Sequence, residues 1–504
     1  ESNSKVFFTS SQDYDTLAAG GTDTISTLKT NTYKRTAGWA HQDPGQFLEA
    51  AVMGFFFPFT GVKPSHIFGV ISLAVLAVAL AGLYAFHLRG RWRVAYVVAS
   101  VVALYAGSPD WYPVIDRVTR EAYARFGDPR VAPLRELGPN RWLMELFHGP
   151  TLAFKDFALQ VLAPLMNEAL TRRKSRALVI AATSGDTGAA AVEAIANQPN
   201  IDLIVLHPKG RISDVQRRQM TTTKALNVRN IAVEGTFDDA QAMVKALFAD
   251  QDFAKHHKLA AINSINWVRI AVQAAYYMTA AVALDRDDIT FSVPTGNFGD
   301  IFAGFVAKRM GLKAGRLVAA TNSNDIVARA ILTGRYERGQ VAATMSPAMD
   351  IQVASNFERL LFESYDRDAG RIRALMKQFE ETGKLVIEPA ALAKIQEVFT
   401  ANRVHELETA TTIKVVYKNT EVLMDPHTSV GFTATRVLSE KDPVVTLATA
   451  HPAKFPEAVK AAVGVVPELP ERLRWILTAP ERFDTLPADV AALRRYIEKA
   501  PVAH

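Results

Sequence analysis

The 504-residue chain contains no cysteine. This absence excludes disulfide bridges, thiolate metal sites and a cysteine nucleophile. The formal net charge is +6, and the positive excess forms no long basic run and no basic stripe interleaved with aromatic residues. We therefore expect no nucleic-acid partner. Apolar residues reach 49%, which suits a globular protein with a large core and more than one domain.

The first 106 residues differ in composition from the rest. Residues 1–48 form a polar tail rich in Ser, Thr, Gly and Asn. An uncharged apolar run at 67–86 is long enough to cross a bilayer as a helix, and Arg89, Arg91 and Arg93 follow it. We expect a candidate transmembrane helix at 67–86, with a buried core helix as the alternative. If this run alone spans, the arginines place the following chain on the cytoplasmic side.

Residues 107–504 have the pattern of an α/β protein. Apolar runs typical of strands alternate with helical patterns, and we predict strands at 177–182, 203–207, 230–233, 290–294, 317–320 and 444–448. This alternation predicts parallel sheets joined by crossover helices. We therefore divide the chain into an unrecognised N-terminal region, 1–106, and an α/β region, 107–504.

One lysine stands at an unusual place for a cation. Lys155 lies in the stretch Phe-His-Gly-Pro-Thr-Leu-Ala-Phe-Lys-Asp-Phe and precedes an apolar-periodic run at 157–170 that predicts a helix. The positive end of a helix dipole disfavours an ammonium group and favours the neutral amine, which is the form that attacks carbonyls. Lys155 is therefore a candidate nucleophile, and an ordinary solvated lysine is the alternative.

Two glycine-rich turns each follow a predicted strand and precede a predicted helix. They are Thr-Ser-Gly-Asp-Thr-Gly at 183–188, before a helix predicted at 189–197, and Thr-Gly-Asn-Phe-Gly-Asp at 295–300, before one predicted at 301–310. Bare backbone N–H groups at a helix N-terminus bind anions. Neither turn ends in the Gly-Lys-Ser/Thr of a Walker loop. Neither has the G-x-G-x-x-G spacing of the dinucleotide-binding motif. Together they predict two anionic groups bound side by side, with structural turns as the alternative.

Two further segments carry groups suited to anions or to a cofactor. If residues 263–269 are helical, Ser264 and Arg269 fall near one face, so a hydroxyl and a guanidinium converge as phosphate ligands. An ordinary capped helix start is the alternative. Thr449 follows the strand predicted at 444–448, at the carboxyl end where α/β sites form.

Taken together, these motifs resemble one enzyme family. The stretches FHGPTLAFKDF, TSGDTG, SDVQRRQM, NSINWVRI, VPTGNFGDIFAG, MDIQVASNFERLLFE, DPHTSVG and TAHPAKFPEAV are similar to threonine synthases, in family order from about Pro109 to near the C-terminus. That family belongs to the fold type II enzymes that use pyridoxal phosphate. The resemblance implies two α/β lobes with parallel sheets and crossover helices in 107–504, and pyridoxal 5′-phosphate as the cofactor.

The resemblance also implies roles for individual residues. Lys155 would bind the cofactor as a Schiff base and move protons at the substrate's Cα and Cβ. The cofactor's phosphate would lie on a loop made by Gly296, Asn297, Phe298 and Gly299. Its pyridine nitrogen would face Thr449, and its O3′ would lie near Asp186. The substrate's carboxylate would be held by Ser184, Gly185 and Thr187, and its phosphate by Asn263, Ser264 and Arg269.

The reaction implied is the conversion of O-phospho-L-homoserine and water to L-threonine and phosphate, without a metal. Another fold type II lyase, such as a threonine or serine dehydratase, is one alternative. A membrane-anchored fusion with an inactive enzyme portion is another. Residues 1–106 lack the STRG-like start and the DGGLYVP-like motif of the family. We interpret them as a fusion or chimera, with divergence of the family's N-terminal segment as the alternative. The catalytic region is expected in the cytoplasm, with the run at 67–86 as a candidate membrane anchor. The sequence does not distinguish a monomer from a homodimer.

Overall fold

The computed structural model describes residues 111–499. The polar tail, the apolar run at 67–86 and the boundary at 106 lie outside the described residues. Between 111 and 499, none of the helices combines the length and the hydropathy that a membrane span requires.

The α-helices within 111–499 are given in chain order. They are α1 (Tyr112–Ala124), α2 (Lys155–Arg172), α3 (Asp186–Ile195), α4 (Asp214–Thr221), α5 (Phe237–Ala249), α6 (Gln251–His256), α7 (Trp267–Leu284), α8 (Gly299–Arg309), α9 (Ile326–Thr333), α10 (Phe357–Ser364), α11 (Ala369–Thr382), α12 (Pro389–Val398), α13 (Glu406–Thr420), α14 (Pro426–Thr433), α15 (Pro456–Val463) and α16 (Val490–Lys499). Short 3₁₀ turns occur at Pro347–Met349, Ala434–Val437, Pro452–Lys454 and Glu471–Leu477.

The strands described form two large sheets and one separate antiparallel pair. They are β1 (Leu134–Gly138), β2 (Arg141–Glu145), β3 (Ala177–Ala182), β4 (Ile201–Pro208), β5 (Val228–Glu234), β6 (Leu259–Ala260), β7 (Thr290–Pro294), β8 (Leu317–Thr321), β9 (Arg335–Glu337), β10 (Lys384–Val386), β11 (Phe399–Arg403), β12 (Val444–Ala448) and β13 (Asp484–Pro487). One sheet has the order β1-β2-β12-β7-β8-β11, with only β1 antiparallel to its neighbour. The other has the order β13-β5-β4-β3-β6 and is parallel throughout. Strands β9 and β10 pair antiparallel.

The prediction of an α/β fold with mostly parallel sheets is confirmed, and all six predicted strands are present. Strand β4 is buried at every residue because parallel strands are covered on both faces by crossover helices. The sequence analysis missed the shorter strands. Strand β13, for example, is mostly exposed and ends at a proline, so it lacks an apolar pattern and joins the sheet through main-chain pairing with β5.

Two helices, α2 and α7, form the centre of the larger hydrophobic core. Both helices are buried on nearly all faces. A helix with apolar side chains on every face must be surrounded by other parts of the protein. Phe157 of α2 packs edge-on against Tyr276 of α7, with ring centroids 5.4 Å apart. The helix that begins at Lys155 is therefore held rigidly within the core.

Each candidate functional segment follows the carboxyl end of a parallel strand. The turn at 183–188 follows β3, and the segment before α7 follows β6, both in the five-stranded sheet. The turn at 295–300 follows β7, and Thr449 follows β12, both in the six-stranded sheet. The carboxyl ends of parallel strands are where α/β proteins bind ligands. Each sheet thus contributes two of the four segments.

Candidate active site

Lys155 is the first residue of α2, and its side chain is only 13% exposed. Burial lowers its pKa below the ordinary lysine value, and the nearby Arg269 and Lys454 lower it further, while Asp186 opposes them. A lowered pKa increases the fraction of neutral amine at physiological pH, and the neutral amine is the nucleophile. The placement predicted for Lys155 at a helix start is confirmed.

The turn before Lys155 is closed by a buried carboxylate. Asp156 accepts hydrogen bonds from the backbone N–H of Thr151 at 2.8 Å and from its hydroxyl at 2.7 Å. A Cβ at Gly149 would lie 2.4 Å from Asp156 Oδ2, so only glycine fits there. Leu152 takes a left-handed backbone conformation, with φ of 64°. Backbone strain of this kind clusters at functional sites, and here it precedes Lys155 by three residues.

Asp186 lies between two lysines. Its Oδ2 is 3.6 Å from Lys155 Nζ, and its Oδ1 is 3.1 Å from Lys454 Nζ. Gln216 Nε2 also donates to Oδ1, at 2.9 Å. Burial by itself would raise the pKa of Asp186, but the charges of Lys454 and Lys155 outweigh it and hold the pKa well below its usual range. Asp186 is therefore an ionised carboxylate whose second oxygen faces Lys155.

Lys454 is a site residue that the sequence analysis missed. It is fully buried in the 3₁₀ turn Pro452–Lys454, and its Nζ donates to Thr151 O and to Gln219 Oε1, both at 2.7 Å. With Asp186 as the third partner, all three ammonium donors are used. Local sequence gives no signal for this role, because a lysine in a short turn is normally solvated. Its partners come from segments more than 200 residues away.

The turn at 183–188 has the expected strand–turn–helix arrangement, with α3 beginning at Asp186 instead of 189. Gly185 has φ of 131°, and a Cβ there would lie 2.5 Å from Gln216 Cδ. The N–H groups of Gly185 and Gly188 both donate to the Thr183 hydroxyl. The Gly185 amide is therefore already engaged within the turn. The half-buried Ser184 and Thr187 stand at its accessible surface.

The turn at 295–300 forms a narrow cradle at the start of α8. Phe298 adopts a left-handed conformation with φ of 65°, and α8 begins at the next residue, Gly299. A Cβ at Gly296 would lie 2.8 Å from Ala348 O. Asn297 is exposed, whereas Phe298 is buried. Compact glycines at a helix N-terminus leave room and N–H donors for a phosphate group.

The expectation that Ser264 and Arg269 share a helical face is wrong. Helix α7 begins only at Trp267, because Asn266 caps it by accepting the Val268 N–H at 3.1 Å. Ser264 therefore lies in the loop before α7. Asn263 is exposed in the same loop, and its Oδ1 accepts the Ile265 N–H at 3.2 Å.

Arg269 is a buried cation that forms no ion pair within residues 111–499. Its Nη1 donates to Ile262 O at 3.3 Å, and its Nε has no hydrogen-bond partner there. Burial lowers its pKa to about 10, so the guanidinium remains charged at neutral pH. An uncompensated buried charge is costly. This arginine thus indicates that an anion binds beside it.

Asp300 is a second residue that the sequence analysis did not single out. Tyr276 and Tyr277 both donate their hydroxyl hydrogens to its Oδ1, while its Oδ2 is buried without a hydrogen-bond partner among the described residues. Burial raises the pKa of Asp300 to about 6, although the two tyrosines, Lys155 and Arg269 lower it. The only feature of the sequence that could have indicated this site is the pair of adjacent tyrosines on α7. Such a pair is also common among the buried residues of an ordinary hydrophobic core.

Thr449 contacts the residue that precedes Lys155. Its carbonyl accepts the Phe154 N–H at 2.9 Å, and its side chain is nearly buried. The residues present fit pyridoxal phosphate. They provide a buried amine of lowered pKa at Lys155, a glycine cradle at 296–299 and a buried neutral hydroxyl at Thr449, the residue that follows β12.

Comparison with known proteins agrees with this geometry. The family described as pyridoxal-phosphate dependent enzyme matches residues 129–418, and that described as threonine synthase, C-terminal, matches residues 428–497. The threonine synthase of Pseudomonas aeruginosa is 47% identical over 388 residues, covering 76% of this chain and 83% of the relative. That of Saccharomyces cerevisiae is 39% identical over 423 residues, covering 75% and 82%.

A solved structure supports the same assignment. The crystal structure of a threonine synthase with bound pyridoxal phosphate from Brucella melitensis superposes with a TM-score of 0.78 at 46% identity. It covers 81% of this chain and 88% of the other. Fold, site and relatives agree, and the chain belongs to the threonine synthase family of pyridoxal-phosphate-dependent enzymes.

Proposed function

We propose that the chain converts O-phospho-L-homoserine and water to L-threonine and inorganic phosphate. The observation that carries the choice of substrate is Arg269, a buried guanidinium without an ion-pair partner in the described part of the chain, next to the amine of Lys155. A substrate phosphate would supply the missing charge. A dehydratase substrate carries no phosphate, so this arginine favours the phosphorylated amino acid.

The substrate carries an amine, a carboxylate and a phosphate, and the candidate site offers groups suited to each. We assign its phosphate to Asn263, Ser264 and Arg269, at the start of α7. We assign its carboxylate to the turn of Ser184, Gly185 and Thr187. Because the Gly185 N–H already donates to Thr183, the Ser184 and Thr187 groups would make the direct contacts.

The cofactor would lie between these groups. We assign its phosphate to Gly296, Asn297, Phe298 and Gly299, its ring nitrogen to the Thr449 hydroxyl and its O3′ side to Asp186. Pyridoxal phosphate, when bound, supplies an electron sink that stabilises negative charge at the substrate's α-carbon. The chain's own residues bind, orient and move protons.

Lys155 is the residue placed to carry those protons. Its neutral amine accepts the proton from Cα of the substrate, and proton removal at Cβ allows the bond between Cγ and the phosphate oxygen to break. Water then adds its hydroxyl at Cβ and gives its other proton to the released phosphate, while the two protons taken from Cα and Cβ return at Cα and Cγ. Phosphate leaves beside Arg269, whose retained charge stabilises it. Asp186, ionised and held by Lys454, keeps a fixed negative charge 3.6 Å from the lysine amine.

Lys155→Ala should abolish covalent attachment of the cofactor. The wild type should show the visible absorbance of lysine-bound pyridoxal phosphate, and the variant should lose it because no other amine occupies that position. Absorption spectra after dialysis against pyridoxal phosphate measure this. The exposed Lys460→Ala is the matched control and should keep the band. A colourless wild type would count against the assignment.

Arg269→Ala should mainly weaken substrate binding. Loss of a charge-assisted contact to phosphate should raise the KM for O-phospho-L-homoserine by about 10- to 100-fold, with a smaller effect on kcat. A phosphate-release assay measures both constants. An unchanged KM would contradict the assignment of Arg269. Equal turnover of unphosphorylated L-threonine by the wild type would favour a dehydratase instead.

Lys454→Met should shift the pH dependence of cofactor capture. Removing this buried charge raises the pKa of Lys155, since Lys454 now lowers it, so less neutral amine is present at neutral pH. The rate at which apoenzyme takes up pyridoxal phosphate should therefore have its midpoint at higher pH. Stopped-flow absorbance across a pH series tests this, with Lys460→Met as the control. An unshifted midpoint would exclude the electrostatic role of Lys454.

We propose further that the catalytic region comprises 107–504 on the cytoplasmic side, and that the run at 67–86 attaches it to a membrane. All the assigned site residues lie within 107–504, and the family match begins at residue 129. Full-length protein should stay with membranes after carbonate extraction, whereas a 107–504 truncation should be released and should turn over substrate with the same KM. Release of the full-length protein would exclude the anchor, and an inactive truncation would exclude the boundary.

A further inference from the structure

Asn356 lies between the two loops assigned to phosphate groups. It is completely buried at the N-terminal end of α10. Its side-chain Nδ2 donates to Ser264 Oγ at 2.9 Å and to Asn297 O at 3.2 Å. Its backbone N–H donates to the same Asn297 carbonyl at 3.1 Å. One amide side chain therefore joins the loop before α7 to the cradle before α8.

Arg359 fixes the orientation of that amide. Its Nε donates to Asn356 Oδ1 at 2.9 Å, and its Nη2 donates to Ile265 O at 2.6 Å. A guanidinium can only donate hydrogen bonds, so the end of the amide that faces Arg359 must be the oxygen. The NH₂ end then faces Ser264 and Asn297. The Asn297 carbonyl, which can only accept, requires the same orientation.

The orientation of Asn356 determines how the Ser264 hydroxyl is used. Ser264 Oγ accepts a hydrogen from Asn356, so its own hydrogen is not needed for that contact. The hydroxyl is then a donor for another group, and phosphate oxygens are acceptors. The space for this arrangement depends on Gly299, where a Cβ would lie 3.2 Å from Asn356 Nδ2 and 3.3 Å from Ser264 Cβ.

We propose that Asn356, oriented by Arg359, is a positioning residue that holds the Ser264 hydroxyl as a hydrogen-bond donor to the substrate's phosphate. It also fixes the spacing between that phosphate and the cradle for the cofactor's phosphate. This role rests on the proposed function, because Ser264 is assigned there to the phosphate of the substrate. Asn356 itself acts through Ser264.

Two substitutions, one that shortens the side chain and one that keeps its size, separate this role from simple packing. Asn356→Ala removes the donor and leaves the Ser264 hydroxyl free to rotate. Asn356→Asp replaces the donor with an acceptor, which takes the Ser264 hydrogen and adds a negative charge near the phosphate. The backbone bond from residue 356 to Asn297 O survives both changes. Cofactor affinity should therefore change less than phosphate affinity.

The experiment measures binding of inorganic phosphate to holoenzyme, as a competitive inhibitor and through its effect on visible absorbance, beside the KM for O-phospho-L-homoserine. Asn356→Ala should weaken phosphate binding by about 5- to 15-fold, and Asn356→Asp by distinctly more. The affinity for pyridoxal phosphate should stay within about threefold. In a Ser264→Ala background, the effect of Asn356→Ala should shrink, because the two residues act as a unit.

The outcomes distinguish the inference from the function on which it rests. A wild type that releases no phosphate from O-phospho-L-homoserine would overturn the proposed function. A wild type that does so, while both Asn356 variants bind phosphate as well as it does, would overturn only the role of Asn356. Equal losses of phosphate and cofactor affinity would show a merely structural residue. An undiminished effect in the Ser264→Ala background would exclude action through that hydroxyl, whether or not the Asp variant folds.

Discussion

The site depends on one buried carboxylate shared by two lysines. Asp186 lies 3.6 Å from Lys155 and 3.1 Å from Lys454. A lone buried ammonium at either lysine would be costly, and so would a lone carboxylate. Gln216 donates a hydrogen bond to Asp186, and Thr151 O and Gln219 Oε1 accept the other two hydrogen bonds of Lys454. The arrangement keeps Asp186 ionised while Lys155 retains a lowered pKa.

The partners of this carboxylate explain why distant segments must fold together. Gln216 and Gln219 both project from α4, and that helix is held in turn by Glu481, which forms ion pairs with Arg217 and Arg218. Glu481 lies just before β13, the strand that completes the five-stranded sheet. The C-terminal segment thus supports the helix whose glutamines reach the two charged groups beside the cofactor site. The contacts that hold α4 in place therefore also position the glutamines that form hydrogen bonds with Asp186 and Lys454.

Sequence patterns predicted those parts of the molecule that are determined locally. The strand at 177–182, the helix that opens at Lys155 and the glycine turns are set by apolar runs and by turn residues, all within a few positions of one another. The sequence did not predict roles for Lys454 and Asn356, because these roles arise only when segments distant in the sequence come into contact. The helical placement of Ser264 was wrong because Asn266 caps α7, which begins at Trp267 and not at residue 263. The position of Ser264 in a loop is what allows Asn356 to reach it.

The candidate site contains both buried cations and buried carboxyl groups. Lys454 and Arg269 are cations, Asp186 is an anion, and Asp300 has a pKa raised to about 6 by burial. Among the described residues, Arg269 has no carboxylate in ion-pair contact, and the charge of nearby Asp300 only partly offsets the cost of its burial. Binding of an anion removes that cost, and a ligand that binds only the folded state stabilises it. Under the proposed function, the substrate's phosphate is the anion that would offset this cost, so the same free energy would favour a phosphorylated ligand.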